Sequence, residues 1–336
     1  MDFTFFRAGT DDDGRRVDRI IRSLIPGLGL SALNAALRKG LVRVNGKRAR
    51  ADGRARSGDE IAVAALLLPP GAPPPEQARA APKLERVVFR NRHLLVLDKP
   101  YDVPVQPGAG GAGVTLSELV EREFRSRGGS GSLSFRTGPL HRLDRKTTGL
   151  VVFSQSIDGA RIFSRWLRLH ALEKIYVGLA LGRMERAETW TDRIEKGGME
   201  RAFRTVRVLP DAGGRGKRAD TLAAPLAHGI LRGRGVTLVR FSIGSGRTHQ
   251  IRSQAGAHGF PLLGDRAYGG GADITLPQDF FLHAHELRFP DGEERALLGL
   301  PERLSCRVPP EFARTLGECR MDAAALPEGL MAHDAH

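Results

Sequence analysis

Residues 69–82, PPGAPPPEQARAAP, hold six prolines in fourteen positions. Proline has no backbone donor and a fixed φ, so this run cannot continue a helix or enter the middle of a sheet, and it favours extended polyproline conformation. The chain is therefore expected to fold separately on either side of it. The segment reads as a semi-rigid linker after a small unit, residues 1–68. A larger unit follows over residues 83–310, and residues 311–336 form a C-terminal extension.

A hydrophobic fraction of 41% and a charged fraction of 27% suit globular folding rather than disorder. No apolar stretch approaches the roughly 18 residues of a membrane span, and the opening MDFTFFRAGTDDDG lacks the basic-then-apolar pattern of a secretory signal. A cytoplasmic protein without membrane association is expected. The two cysteines, Cys306 and Cys319, lack metal-ligand spacing and read as free thiols. The 52 Lys plus Arg against 38 Asp plus Glu give a net charge of +14. That surplus favours a polyanionic partner, because each phosphate contact releases counterions.

In the N-terminal unit, Val17, Ile20, Ile21 and Leu24 follow the i, i+3, i+4, i+7 spacing of an amphipathic helix, which Pro26 and Gly27 stop. A second helix is expected from a Ser31 N-cap through Leu33, Ala36 and Leu37 to Gly40. Residues 41–44 alternate, Asn45-Gly46 is a strong hairpin signal, and residues 61–63 supply another strand. The result is a compact α+β module. Residues 38–56 carry Arg38, Lys39, Arg43, Lys47, Arg48, Arg50, Arg54 and Arg56 against a single acid, Asp52, which points to a phosphate-binding face. Arg16-Val17-Asp18 together with the run RKGLVRVNGK over 38–47 resembles the RNA-binding domain named after small-subunit ribosomal protein four. The resemblance implies RNA contacts through Arg38, Lys39, Arg43, Lys47 and Arg48.

Beyond the linker, residues 87–89 and 94–97 read as strands that deliver Lys99-Pro100 to a Pro- and Gly-rich loop, where Lys99 is a candidate RNA contact or else pairs across the loop. Leu116, Leu119, Val120 and Phe124 mark a helix capped by Thr115, and residues 125–134, RSRGGSGSLS, read as a flexible basic loop. Residues 150–153 suit a buried strand, Ile162, Phe163, Trp166 and Leu167 one helix face, and residues 174–181 a further strand. Mixed strands and helices argue for an α+β domain framed by a sheet.

The most informative run is HRLDRKTTGL, residues 141–150, which sets Asp144 among Arg142, Arg145 and Lys146. Nearby cations favour an ionised carboxylate, able to act as nucleophile or base, and the same cations can bind phosphate. Taken alone, the run also suits a solvated loop with local ion pairs. Four further segments follow in order: KIYVGL at 174–179, GRTHQIR at 246–252, LGDRAYG at 263–269 and LHAHEL at 282–287.

With LDKP at 97–100, these segments resemble the RluA family of pseudouridine synthases over roughly residues 87–290, 141–150 matching its HRLDxxTSGLxx signature. The resemblance implies a mixed, mainly antiparallel catalytic sheet. It also implies an isomerase converting uridine in RNA to pseudouridine without metal or organic cofactor. Asp144 would initiate breakage of the N1–C1′ bond, after which uracil turns and rejoins through C5. Arg142 would displace the uridine from its stack or, alternatively, bind phosphate without insertion, and Tyr176 would stack on uracil. Arg247 would pair with the catalytic carboxylate, with Arg252 its rival for that place. His249 is expected to be structural, and His283 and His285 hydrogen-bonded residues without a third metal ligand. The attached N-terminal module is similar to the RluC and RluD branches and implies large-subunit ribosomal RNA as substrate. Thr148 replaces a common serine, and Gln106 stands where histidine is frequent. Competing readings are a non-catalytic RNA-binding or ribosome-assembly protein, a synthase acting on transfer RNA, and a glycosidase using the same Asp144.

Overall fold

The computed structural model describes residues 1–68, 84–107, 113–127, 131–200, 203–271, 276–321 and 329–331. The proline-rich segment, 69–82, lies outside these residues.

The N-terminal unit has four strands, β1 (Phe3–Arg7), β2 (Val42–Val44), β3 (Lys47–Arg48) and β4 (Glu60–Ala64), and two helices, α1 (Val17–Leu24) and α2 (Leu30–Arg38). The antiparallel sheet runs β1-β4-β2-β3. The apolar stripe of α1 is buried: Val17, Ile20 and Ile21 pack with Leu33, Leu37, Val42, Ile61 and Val63. Asn45 and Gly46 both adopt positive φ, 48° and 76°, as a tight primed turn between β2 and β3 requires. Helix α2 begins at Leu30, with Gly29 rather than Ser31 at the cap, and no side chain bonds its free amides.

The larger unit is built on one sheet. Its strands are β5 (Val87–Arg90), β6 (Leu94–Lys99), β7 (Gly138–Pro139), β8 (Thr148–Ser154), β9 (Glu173–Leu181), β10 (Glu188–Glu200), β11 (Phe203–Pro210), β12 (Lys217–Leu231), β13 (Arg234–Ile243), β14 (Leu282–Arg288) and β15 (Arg303–Ser305). The order is β11-β10-β12-β13-β9-β14-β8-β6-β5, with β15 beside β14 and β7 beside β8. Neighbours run antiparallel except β14 and β8, which are parallel. The fold is thus α+β, as the pattern of elements predicts, with the mixed, mainly antiparallel sheet that the family resemblance implies.

Alternation along the strands sends side chains to two apolar layers. On one face Leu97, Val151, Tyr176, Trp190 and Phe241 pack with α3 (Leu116–Ser126) and α5 (Gln250–Ala257). Thr115 caps α3 as expected, and Glu118 returns the bond to complete a capping box. On the other face, α4 (Ile157–Arg168) sets Phe163 and Trp166 over Leu94, Val96, Leu150 and Val152. The short α6 (Glu293–Leu297) follows β14, and α7 (Pro310–Glu318) sets Phe312 and Leu316 against Val177, Leu179 and Phe281. The boundary expected at residue 310 therefore falls at the start of a core helix, because Phe312 and Leu316 lie one helical turn apart on its apolar face.

Two local features position the site. Gly149 has φ +105°, and a Cβ there would stand 2.3 Å from the Ala284 carbonyl oxygen, so only glycine lets β8 start flush against β14. Residues 132–134, part of the 125–134 run expected to be flexible, instead bind the N-terminal unit. Asp12 accepts bonds from the Ser132 and Ser134 hydroxyls and, at 2.8 Å, from the Leu133 amide. Asp11 accepts from the Ile157 amide at the start of α4, 3.1 Å away. A buried carboxylate that satisfies several donors orders a glycine- and serine-rich segment whose composition alone suggests freedom.

Candidate active site

Asp144 lies in the turn that leads into β8, closed by the Thr147 amide donating to the Asp144 carbonyl at 3.1 Å. The turn is held from beneath by Lys99, whose Nζ donates to the carbonyls of Arg145 (2.8 Å), Pro100 (2.8 Å) and Val103 (3.0 Å). Lys99 is completely buried, and burial lowers its pKa to about 7 against the opposing pull of Asp144, Asp102 and Asp98. Of its two sequence readings, an RNA contact or a pairing across a loop, the buried position fits the second and not the first. The last residue of β6 points inward, and its ammonium staples two loops together.

The cations expected around Asp144 separate in a similar way. Arg145 turns to Asp102, with Nη2 at 2.9 Å, and Lys146 pairs with Asp279. Successive residues of a turn point in different directions, so adjacency in sequence did not become adjacency in space. Arg142 is the one of the three that lines the hollow Asp144 shares with Tyr176.

The partner of the carboxylate is Arg252, on the inner face of α5. Its Nη1 donates to Asp144 Oδ2 at 3.3 Å, while Nε and Nη2 grip Asp265 at 2.7 and 2.8 Å. Its guanidinium carbon lies 4.1 Å from the centroid of the Phe280 ring. Arg247, expected in this role, does not reach Asp144. It precedes the helix on the pocket rim, and its Nε donates to the Arg218 carbonyl at 3.1 Å. His249 adopts left-handed backbone, φ 54°, immediately before α5. This reversal separates the directions of the two arginines. The His249 Nε2 is 3.8 Å from Asp144 Oδ2, and its Nδ1 meets the Tyr268 hydroxyl at 2.8 Å.

Tyr176, on β9, lines the same pocket with Leu143, Ile243, Ile251 and Leu282. Burial first, and Asp144 second, push its phenol above the ordinary range, so it stays neutral. Its hydroxyl makes no hydrogen bond with the described residues. The site is a hollow of about 60 Å³ with a mixed polar and apolar wall, where Asp144, Arg252, His249 and the neutral phenol of Tyr176 meet Arg142 and Arg247. Asp144 also borders a wider hollow of about 530 Å³ with Arg145, Lys146 and Arg266. A single carboxylate set between such hollows can serve as nucleophile or base toward a planar, polar ligand.

Residues 93–257 match the family described as RNA pseudouridylate synthase. A ribosomal large subunit pseudouridine synthase C of Salmonella typhi is 30% identical over 290 residues, covering 83% of this chain and 86% of the relative. The chain belongs to the RNA pseudouridylate synthase family. This synthase is accordingly an isomerase. It is also similar to a ribosomal large subunit pseudouridine synthase D of Xanthomonas campestris pv. campestris, 28% identical over 332 residues and covering 94% of this chain and 92% of that one. Human RNA pseudouridylate synthase domain containing 4 shares its fold, with a TM-score of 0.54 at 18% identity over 70% of this chain and 94% of the other.

In the N-terminal unit of the synthase, Arg38, Lys39, Arg43, Lys47 and Arg48 are all exposed. Arg43 lies over the Phe3 ring, 4.7 Å from its centroid, and Arg48 donates to the Leu37 carbonyl at 3.0 Å near the end of α2. Of these five, Arg48 thus also has a structural bond. No helix among the described residues is long and apolar enough to cross a membrane.

The histidine pair on β14 proves unequal. Asp98 and Cys306 join His283, their donor atoms all within 4.8 Å, in a group that could hold a metal ion. His285 instead bonds the Cys306 carbonyl at 2.7 Å. A bulge between Ala284 and Glu286 breaks the alternation that two-residue spacing assumes. The trio lies on the sheet face opposite Tyr176 and is engaged within the fold. His283 meets Thr148 at 2.8 Å, and Arg86 pairs with Asp98 at 3.4 Å.

Sequence reading missed the structural weight of Asp265 and Tyr268. Both lie in LGDRAYG, where an acid and an aromatic in an otherwise loop-like run were the available signal.

Proposed function

We propose that this synthase isomerises uridines of large-subunit ribosomal RNA in the cytoplasm, with Asp144 as its catalytic carboxylate. The observation that carries the residue assignment is the placement of Asp144. It is bonded to Arg252 and faces a pocket in which Tyr176 offers a hydrophobic ring and an unbonded hydroxyl. The substrate assignment rests on the names of the relatives and on the basic N-terminal face.

Chemistry on a base requires taking it out of its stack, at a cost of a few kcal/mol. Arg142, exposed and without an ion pair among the described residues, is free to occupy the vacated position. The flipped uracil lies against Tyr176, and Asp144 initiates cleavage of the N1–C1′ bond. Arg252 keeps the carboxylate oriented while the base turns to present C5. The buried phenol of Tyr176 stays neutral, so it can exchange a hydrogen bond without adding charge.

Mapping pseudouridine across total RNA, with and without the gene, tests substrate and reaction together. Loss of pseudouridine at defined large-subunit positions is expected. Loss confined to transfer RNA would move the substrate assignment. Tight RNA binding without modification would favour an assembly role, and free uracil with an abasic sugar as main product would make the enzyme a glycosidase.

A further inference from the structure

Lys174 stands two residues before Tyr176 on β9 and so faces the same side of the sheet. It is only 4% exposed, yet its Nζ makes no hydrogen bond or ion pair with the described residues. Its charged neighbour is another cation, Arg247. A Cβ built on Gly246 would lie 3.2 Å from the Lys174 Nζ, so the ammonium abuts the backbone at the pocket rim. Gly246 does not adopt positive φ, so the backbone conformation does not demand glycine there. What the missing side chain does is leave the ammonium uncovered. Arg247 commits Nε to the Arg218 carbonyl and leaves both terminal nitrogens without a bond among the described residues.

Buried charges are ordinarily paired, and two neighbouring cations without an acid raise each other's cost. The arrangement is relieved when an anion arrives. We propose that Lys174 and Arg247 form a seat for one backbone phosphate of the RNA strand whose uridine enters the Asp144 pocket. The proposal rests on the uridine reading above and assigns Arg247 to the nucleic-acid backbone rather than to the carboxylate.

Burial, with Arg247 second, draws Lys174 down to about 8. The other groups around it do not supply an acid. His141, before the Asp144 turn, feels Lys174 only as a repelling charge and is itself held neutral by burial. Glu173, the next residue on β9, is engaged by Arg240 and Arg288 at 3.5 Å each. Free enzyme therefore loses the Lys174 charge as pH passes about 8, and the seat weakens with it.

The test measures RNA affinity, KM and kcat against salt and pH for wild type, Arg247→Met, Lys174→Met and Lys174→Arg, with thermal melts to establish folding. Arg247 lies on the rim, so its variant folds even if the buried one does not. Each methionine variant is expected to bind RNA about tenfold more weakly, mainly in KM. Each should also flatten the slope of log affinity on log salt by about 0.7, the share of one single-strand phosphate contact. Wild-type affinity should fall between about pH 7 and 9 while Lys174→Arg, permanently charged, stays level. Active, folded variants with unchanged salt slopes would overturn the seat alone. Wild-type protein that forms no pseudouridine would overturn the uridine reading, and with it the ligand named for the seat.

Discussion

Asp144 owes its position to two buried cations, Arg252 beside it and Lys99 beneath its turn, and these define the residue-scale predictions. Asp144→Asn should lower turnover by roughly 10³-fold or more while RNA binding persists, measured as pseudouridine formed per enzyme in a single turnover. Arg252→Met leaves Asp265, 1% exposed, without its partner, and should cost about 3–5 kcal/mol in urea unfolding. A loss of activity with unchanged stability would confine Arg252 to the chemistry. Lys99 offers a test in pH. Its pKa is about 7 folded against an ordinary 10.5, so both states hold the proton below about 7, and only the unfolded chain holds it between the two values. Stability from this group therefore rises with pH through that window. The gap in unfolding midpoint between wild type and Lys99→Met should widen as pH climbs from 7 toward 10, and a constant gap would contradict the lowered pKa. The candidate site was legible as far as motif order could carry it, which placed Asp144, Tyr176 and Arg142 around one pocket. The choice between Arg247 and Arg252 was not legible. It depends on the left-handed turn at His249 and on the phase of the helix that follows, neither of which spacing reveals.

Strands and helices with a clear period were readable because each has one apolar face to bury. The stripe of α1, the capped start of α3 and the Asn45-Gly46 turn all formed where their residues said. The parallel contact of β8 and β14 was not readable, since the two strands lie more than a hundred residues apart and nothing in either names the other. Gly149 is the element-scale test of that contact. Gly149→Ala must meet the Ala284 carbonyl and hold a positive φ, so it should destabilise the catalytic unit by about 2 kcal/mol or more, read as a drop in melting temperature. Activity should fall with it, because the Asp144 turn is anchored to the start of β8. A fully stable alanine variant would show that β8 and β14 can separate without cost. Composition also misled at residues 132–134: Gly and Ser report freedom in an isolated chain but say nothing of a carboxylate waiting on another unit.

For the whole molecule, that carboxylate decides how the basic N-terminal face is presented. Asp12→Ala should free the Leu133 amide, raise its hydrogen exchange by at least about tenfold, and weaken RNA binding without changing turnover at saturating RNA. Unaltered exchange at Leu133 would show that the units are held by other contacts. The wide spacing of the site along the chain has a further consequence for synthesis. Asp144 and Arg252 are 108 residues apart, and the loop between them contains β8, β9 and the β10–β11 hairpin. At ribosomal rates of about 5–20 residues per second, the carboxylate waits roughly 5–20 s for its partner to be made. Through that interval the half-built sheet has open edges and no assembled pocket, so a nascent chain cannot modify RNA. The enzyme becomes active only after α5 has been made and has brought Arg252 to the turn that carries its acid.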